Sequence, residues 1–324
     1  MSRAHGDAVR LRGVGKQYEL VGAVHDIAFA VPTGSVTALV GPAGAGKSTV
    51  LRIVLGLQQP TTGTVERGLP GTGPGSVGAV LNPRGLHPGR TVREHLRCYA
   101  PVAGVSRRRV EAVLADTGLA AVADTVVAQL HPGQQTRLAL GTALLADPPL
   151  LVLDDPFAGA EGLDRGWLHE VLRGHVGRGG TVLLSSDKLA DVVATADQLV
   201  VLSEGAVVWQ GTPARLRRGH PDRLVVAASP SIALATALAA RGFTDAVMRP
   251  DGRLAVAEAD EATIRAVAET AQVRIGSIVA DPIHPDRVLA SLTKPRGHRP
   301  AAVPAPPAGA ATFAPAPTSY GMPR

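Results

Sequence analysis

The 324-residue sequence contains one cysteine, Cys98, and aromatic residues make up only 3% of it. A single cysteine excludes a disulfide framework within the chain and a cysteine-rich zinc site. The scarcity of aromatic residues requires a core of Ala, Val, Leu and Ile, and it leaves no aromatic platform for single-stranded nucleic acid. The ten histidines show no metal-ligand spacing. An apolar content of 45% with 19% charged residues still predicts a folded chain.

The sequence also lacks an unbroken apolar run long enough to cross a bilayer, although its mean hydropathy is +0.14. Before the C-terminal region, the two longest uncharged stretches are residues 27–46 and 224–240, and both contain proline together with glycine or serine. The first residues have no apolar segment of the kind found in signal peptides. We therefore expect a cytoplasmic chain with no direct membrane span, which reaches a membrane only through a partner.

Acidic residues are absent from residues 294–324, where eight prolines occur, and we expect a disordered tail rich in Pro and Ala. The whole chain has a formal net charge of +6, but four of these charges lie in the tail. The remaining +2 gives little support to a nucleic-acid partner. A basic tail near an anionic inner leaflet is a further expectation.

The strongest motif is a glycine-rich stretch, Gly-Pro-Ala-Gly-Ala-Gly-Lys-Ser-Thr, which matches the phosphate-binding pattern G-x-x-x-x-G-K-[ST] in full. A predicted buried strand precedes it and a predicted helix follows, so backbone N–H groups and the helix N-terminus would face a phosphate. Lys47 is expected to reach the β- and γ-phosphates, and the Ser48 hydroxyl to bind Mg²⁺. The residues predicted to bind the nucleotide in this loop are Gly41, Pro42, Ala43, Gly44, Ala45, Gly46, Lys47, Ser48 and Thr49.

An apolar run at residues 150–153 ends in two carboxylates, Asp154 and Asp155. Such a run predicts a buried strand, and an aspartate at its carboxyl end is placed to orient Mg²⁺. Alone this signal is weak, but together with the phosphate loop it indicates a nucleotide site. Ser185 and Ser186, at the end of another predicted strand, are not in a nucleophile elbow.

The rest of the chain follows two patterns. Residues 9–211 alternate strand and helix signals, which predicts an α/β fold with a parallel sheet. Within them Thr91 and Glu94 form a capping box that opens a mostly helical stretch to about residue 147. Residues 223–292 have the order β-α-β-β-α-β, which predicts a small ferredoxin-like unit without a chemical motif of its own.

Taken together and in this order, these motifs resemble the ATP-binding cassette (ABC) family, the nucleotide-binding subunits of ABC transporters, over about residues 9–211. Tyr18 stands 23 residues before the phosphate loop, where the family has an aromatic residue that stacks on adenine. The resemblance implies a P-loop α/β core with a parallel sheet, an antiparallel β edge and a helical subdomain at about 91–147. On this interpretation the cassette occupies residues 1–219, the α+β domain 220–293 and the tail 294–324.

Several positions depart from the family pattern, and they are those that serve hydrolysis. The family's catalytic glutamate aligns with Asp155, its switch histidine with Asp187, and the glutamine that contacts Mg²⁺ with Asn82. Glu161 replaces an aspartate of the following loop. The metal ligands implied are Ser48, Asn82 and Asp154.

The signature that would face the phosphate loop of a second cassette is Leu130, His131, Pro132, Gly133 and Gln134. In it His131 replaces a serine and Pro132 replaces a glycine.

The resemblance implies that ATP and Mg²⁺ bind between two head-to-tail cassettes, which drive separate transmembrane permease subunits at the inner face of the cell membrane. The segment 86–91 and the extra C-terminal domain are similar to cassettes of bacterial exporters, so we expect export. The altered residues predict slow hydrolysis. The alternative is a non-catalytic, nucleotide-gated regulatory subunit or the degenerate half of a heterodimeric transporter.

Overall fold

The computed structural model describes residues 6–19, 21–68, 75–220, 223–257, 259–281 and 285–294. Within these residues the strands are β1 Asp7–Tyr18, β2 Val21–Pro32, β3 Val36–Val40, β4 Thr62–Arg67, β5 Val77–Val80, β6 Leu150–Leu153, β7 Thr181–Ser186, β8 Gln198–Ser203, β9 Ala206–Gly211, β10 Arg223–Ser229, β11 Ala246–Met248, β12 Leu254–Ala257 and β13 Arg274–Asp281. The helices are α1 Lys47–Val54, α2 Val92–Tyr99, α3 Arg107–Asp116, α4 Pro132–Ala143, α5 Gly162–Gly177, α6 Leu189–Val192, α7 Pro213–Gly219, α8 Ser231–Ala240, α9 Glu261–Thr270 and α10 Pro285–Leu292.

The central sheet has six strands in the order β5-β6-β7-β3-β8-β9, parallel except for β9. Every residue of β3, β6 and β7 is buried, as expected for parallel strands that are covered on both faces. One face packs against α4, α5 and α6, and the other against α1 and β1. The predicted α/β class and the parallel core are therefore confirmed.

An antiparallel sheet of order β2-β1-β4 lies on the α1 side of this core. The stretch between β5 and β6 is mainly helical and has its own apolar core, formed by α2, α3 and α4. The predicted capping box is confirmed: the Glu94 amide donates to Thr91 Oγ1 (3.2 Å), and the Thr91 amide donates to Glu94 Oε2 (2.9 Å). These elements correspond to the predicted antiparallel edge and helical region.

The C-terminal region contains β10-α8-β11-β12-α9-β13 in the predicted element order, followed by α10. Its sheet has the order β11-β12-β10-β13 with every pair antiparallel. Apolar residues of α8 and α9 cover one face of this sheet. By contrast, α10 contributes Val288 and Leu289 to the core of the central sheet. A domain boundary at residues 219 and 220 stays a prediction.

The chain divides into a unit of residues 1–293 and a unit of residues 294–324. Apart from Lys294, the second unit lies outside the described residues, so the disordered tail also stays a prediction. Among the described residues, none of the helices combines the length and the apolar character that a membrane span requires.

Candidate functional site

The predicted phosphate loop connects β3 to α1, and glycine is required at its two ends by close packing. A methyl group at Gly41 would overlap the carbonyl oxygen of Leu202. Gly46 has a left-handed backbone (φ 94°), and a methyl group there would lie 2.5 Å from Val24 Cγ1. The backbone path of the loop therefore depends on the absence of side chains at these two positions.

A cavity of about 500 Å³ adjoins this loop. Residues 44–49 form one side, and Gly22, Ala23, Glu204 and Gly205 form the other. The sequence analysis did not identify these last four residues, because they come from β2 and from the turn between β8 and β9. The cavity has the glycine-rich backbone and the helix N-terminus that bind phosphates in proteins.

Lys47 lies between this loop and a group of carboxylates. Its Nζ donates hydrogen bonds to the carbonyl oxygens of Gly41 (2.6 Å) and Pro42 (2.9 Å). Burial lowers the pKa of the Lys47 ammonium, while Asp187, Asp155 and, less strongly, Asp154 favour its charged form. We call Asp154, Asp155 and Asp187 the carboxylate cluster. Its members follow neighbouring parallel strands, β6 and β7, so they meet at one edge of the sheet.

Asp154 is buried and is held by two hydroxyl groups. Ser48 Oγ lies 3.1 Å and Ser185 Oγ lies 2.7 Å from Asp154 Oδ1, and both donate to it. The predicted pair of metal ligands, Ser48 and Asp154, is thus assembled across 106 positions of sequence. Hard oxygen donors of this kind suit Mg²⁺, which takes one or two protein ligands and completes its shell with phosphate and water. The residues present therefore fit a MgATP site.

Asn82 also lies beside Asp154, because its Nδ2 donates to the Asp154 backbone carbonyl at 3.3 Å. Asn82 is exposed, and its backbone carbonyl oxygen accepts a hydrogen bond from Arg52 Nη2 at 3.3 Å. The structure thus brings Asn82 to the site through the backbone of Asp154. Its role as a metal ligand stays a prediction.

Asp155 has an unusual backbone and an unusual proton affinity. Its φ is 47°, and its amide donates to Ser185 Oγ at 2.9 Å. Burial raises the pKa of Asp155 to about 6, and the Asp187 carboxylate acts in the same direction, whereas Lys47 opposes both. A carboxylate of this pKa is ionised at neutral pH and still accepts a proton from a nearby group.

Ser185 is a further site residue, to which the sequence analysis assigned no role. It is fully buried, donates to Asp154 and accepts from the amide of Asp155, so it fixes two members of the carboxylate cluster at once. Its position depends on the register of two predicted strands. In the structure Leu153 pairs with Leu184, so the next residues, Asp154 and Ser185, are neighbours. The sequence shows both polar residues but does not show that pairing.

The structure does not place Tyr18 in the lining of the cavity. The Tyr18 hydroxyl donates to Gln58 Oε1 at 2.5 Å, and Lys16 Nζ lies 5.2 Å from the ring centroid. The residue remains 41% exposed. Stacking of Tyr18 on adenine stays a prediction.

The predicted signature forms the start of α4, away from the cavity lining of its own chain. His131 and Pro132 are exposed, and proline is accommodated because it occupies the first helical position, where an N–H has no partner within the helix. Gln134 Oε1 accepts the amide of His131 at 3.0 Å. Gly133 packs so closely on Asp164 that a side chain there would overlap its carboxylate. The signature's role toward a second cassette stays a prediction.

A larger cavity, of about 620 Å³, lies between α3 and α5 and contains none of the motif residues. Its lining includes Trp167, Arg109 and Glu170. Of these two cavities, only the smaller one is lined by the glycine-rich loop and the N-terminus of α1, the groups that bind phosphate in nucleotide sites.

Known proteins share this architecture. The family model described as "ABC transporter" matches residues 24–158. The Nod factor export ATP-binding protein I of Rhizobium johnstonii is 35% identical over 216 residues, which cover 64% of this chain and 70% of that protein. The aliphatic sulfonates import ATP-binding protein SsuB of Mycobacterium avium is 39% identical over 223 residues, covering 66% of this chain and 86% of that protein.

A solved structure described as the ATP-binding subunit of an ABC transporter superposes with a TM-score of 0.59 at 28% identity, and the match covers 65% of this chain and 92% of that one. The predicted resemblance and the P-loop fold are thereby confirmed. The chain belongs to the ABC transporter family, and it is an ATP-binding subunit of that family.

Proposed function

We propose that the chain binds MgATP in the cavity beside the phosphate loop and hydrolyses it slowly, coupling closure of two cassettes to transport. The observation that carries this proposal is the hydrogen bond of 3.1 Å from Ser48 Oγ to Asp154 Oδ1, in the first turn of the helix that follows the glycine-rich phosphate loop. Loop amides and Lys47 would neutralise the phosphates, while Ser48 and Asp154 would hold Mg²⁺. The bound ion would offset the negative charge of the phosphates.

Asp155 is the residue that we assign to the attacking water. Its carboxylate accepts a proton or orients the water, and Ser185 fixes the backbone from which it projects. Asp155 is one methylene shorter than the family's glutamate, and a displacement of about 1 Å costs on the order of 100-fold in rate. Asp187 adds negative charge where the family has a histidine donor, and Pro132 removes one amide from the signature. Slow hydrolysis follows from these three changes.

The partners of this subunit follow from the family. We propose a second cassette, identical or different, and transmembrane permease subunits that hold the chain peripherally at the inner face of the cell membrane. One relative is named for export and another for import. We propose export, because the segment 86–91 and the C-terminal region are similar to those of exporter cassettes.

Calorimetric titration of the full chain with MgATP tests the binding proposal. We expect saturable binding that is lost in Lys47→Ala and kept in Lys294→Ala, which removes an exposed lysine far from the loop in sequence. A steady-state assay should give turnover below the roughly 1–10³ s⁻¹ typical of enzymes. Binding that persists in Lys47→Ala, or turnover within that range, would contradict the respective part of the proposal.

A second candidate function is a non-catalytic nucleotide-gated subunit. It is favoured by the electrostatic repulsion between the Asp155 and Asp187 carboxylates, which hinders hydrolysis and leaves the phosphate loop unchanged. The double variant Asp155→Glu, Asp187→His restores both family residues. If the native chain is a degenerate half of a transporter, the double variant should hydrolyse ATP about 100-fold faster with unchanged ATP affinity. An unchanged rate would show that these two positions do not limit hydrolysis.

A further inference from the structure

The last helix of the C-terminal region, α10, packs on the cassette rather than on its own sheet. Val288 and Leu289 are each 6% exposed and belong to the apolar cluster that contains Leu189 and Val192 of α6. The helix α6 begins two residues after Asp187. A segment about 100 residues later in the chain therefore packs against the element that follows the carboxylate cluster.

Polar contacts tie both ends of α10 to the cassette. At its start, Asp286 Oδ1 accepts the backbone amide of Ala190 at 3.3 Å. Just after its end, the carbonyl oxygen of Thr293 accepts a hydrogen bond from Ser203 Oγ at 3.3 Å. Ser203 directly precedes Glu204, which lines the phosphate cavity. The helix thus contacts two segments that lead into the candidate site.

The other side of α6 is connected to the loop before α5. Asp191 is only 4% exposed and forms an ion pair with Arg165. The same guanidinium donates through Nη2 to the carbonyl oxygen of Ala160 at 3.3 Å. Ala160 precedes Glu161, the residue predicted at the family's aspartate position. Through α6, the position of α10 is linked to both loops that border the carboxylate cluster.

The length of α6 explains why these contacts matter. It spans four residues, and a helix this short is unstable without partners, because its nucleation is not repaid by further backbone hydrogen bonds. Its placement must come from apolar packing by Leu189 and Val192 and from the polar contacts of Ala190 and Asp191. Asp286 supplies the polar contact to Ala190, and the buried side of α10 belongs to the apolar cluster in which Leu189 and Val192 pack.

We infer that Asp286 and the buried face of α10 are positioning elements for the segment 187–192, so that the C-terminal region sets how Asp187 meets a bound nucleotide. The nucleotide part of this inference rests on the proposed function, whereas the positioning part does not. The contacts described for Asp286 and for the buried face of α10 go to α6, so we expect their effect to fall on turnover and not on affinity for ATP.

Hydrogen exchange on the full chain without nucleotide tests the positioning. In Asp286→Ala, amides of residues 187–193 should exchange about fivefold faster, the factor that loss of a typical capping carboxylate produces. The matched control is Asp260→Ala, since Asp260 Oδ1 accepts the amide of Thr263 within the C-terminal region. That variant should accelerate exchange around α9 and leave 187–193 unchanged. Faster exchange confined to α10 in Asp286→Ala would overturn the inference.

A turnover measurement supplies the second readout. Asp286→Ala and Leu289→Ala should each change kcat for ATP at least threefold, with the dissociation constant for MgATP within twofold of the native value. Equal kcat in the native chain and both variants would overturn the inference even if binding is intact. If the native chain binds no ATP, the proposed function fails, and the exchange experiment still decides whether α10 positions the segment.

Discussion

The phosphate loop and the carboxylate cluster lie at the same edge of the central sheet, yet they are constructed differently. The loop depends on backbone shape, since Gly41 and Gly46 leave no room for a side chain. The carboxylate cluster depends on side chains whose charges oppose one another, and that opposition helps to raise the pKa of Asp155. Of these two regions, only the cluster contains positions that we predict to depart from the family pattern, Asp155 and Asp187, and a changed side chain there alters charge without altering the shape of the backbone.

The largest effect is expected from Gly46→Ala. A methyl group would lie 2.5 Å from Val24 Cγ1 and 2.8 Å from the Ala23 carbonyl oxygen, so the loop must move and several phosphate donors are lost. We expect ATP affinity to fall by about 100-fold. Gly44→Ala is the control, because it has the same left-handed backbone (φ 80°) but no atom within 4 Å of the added group. Its loss should be about tenfold, from backbone strain alone. Equal losses would contradict the packing explanation.

A smaller effect is expected from Ser185→Ala, which removes the hydroxyl shared by Asp154 and Asp155. Loss of a residue that orients a metal ligand typically weakens metal-dependent binding by roughly 10- to 100-fold. We expect Ser185→Ala to lower the affinity for MgATP by about tenfold. Ser186→Ala is the matched control, since that equally buried hydroxyl forms its hydrogen bonds, within the described part of the chain, with the backbone of Lys188. Calorimetry with and without Mg²⁺ measures both. A tenfold loss in the control instead would show that burial, and not the contact with Asp154, is responsible.

The pH dependence of hydrolysis tests the charge opposition within the cluster. Because the pKa of Asp155 is raised to about 6, turnover should decrease as the pH falls through 6 and the carboxylate becomes protonated. Asp187→Asn removes a neighbouring negative charge, so the decrease should occur at lower pH. Relative to the rate at pH 7.5, the variant should retain about two- to threefold more activity at pH 5.5 than the native chain. Superimposable profiles would show that Asp187 does not influence Asp155.

The smallest effect is expected on stability. The raised pKa of Asp155 means that the folded state holds a proton more tightly than the unfolded state, so ionisation lowers stability as the pH rises from about 4 to 6. Asp155→Asn should therefore raise Tm by about 2 °C at pH 7.5. The increase should be smaller at pH 5, where the native carboxyl is largely protonated in the folded state. A lower Tm for the variant at pH 7.5 would contradict this account.

The sequence alone allowed the phosphate loop, the Thr91–Glu94 cap and the element order of the C-terminal region to be predicted. Each of these depends on residues close together in the chain, whose spacing already defines a turn, a helix start or an alternation of strand and helix. The Asp154 position was predicted for the same reason, from an apolar run that ends in carboxylates.

The roles of Ser185 and Asp286 could not be predicted in this way. Ser185 meets Asp154 across 31 positions of sequence, and Asp286 meets Ala190 across 96. Such contacts depend on which strands pair and on where a late helix packs, and local residue patterns carry no information about either. The sequence by itself thus determined the glycine-rich loop that we propose for phosphate, because that loop is a continuous backbone segment. Only the tertiary structure decided which groups hold the carboxylates in place, because those groups come from separate parts of the chain.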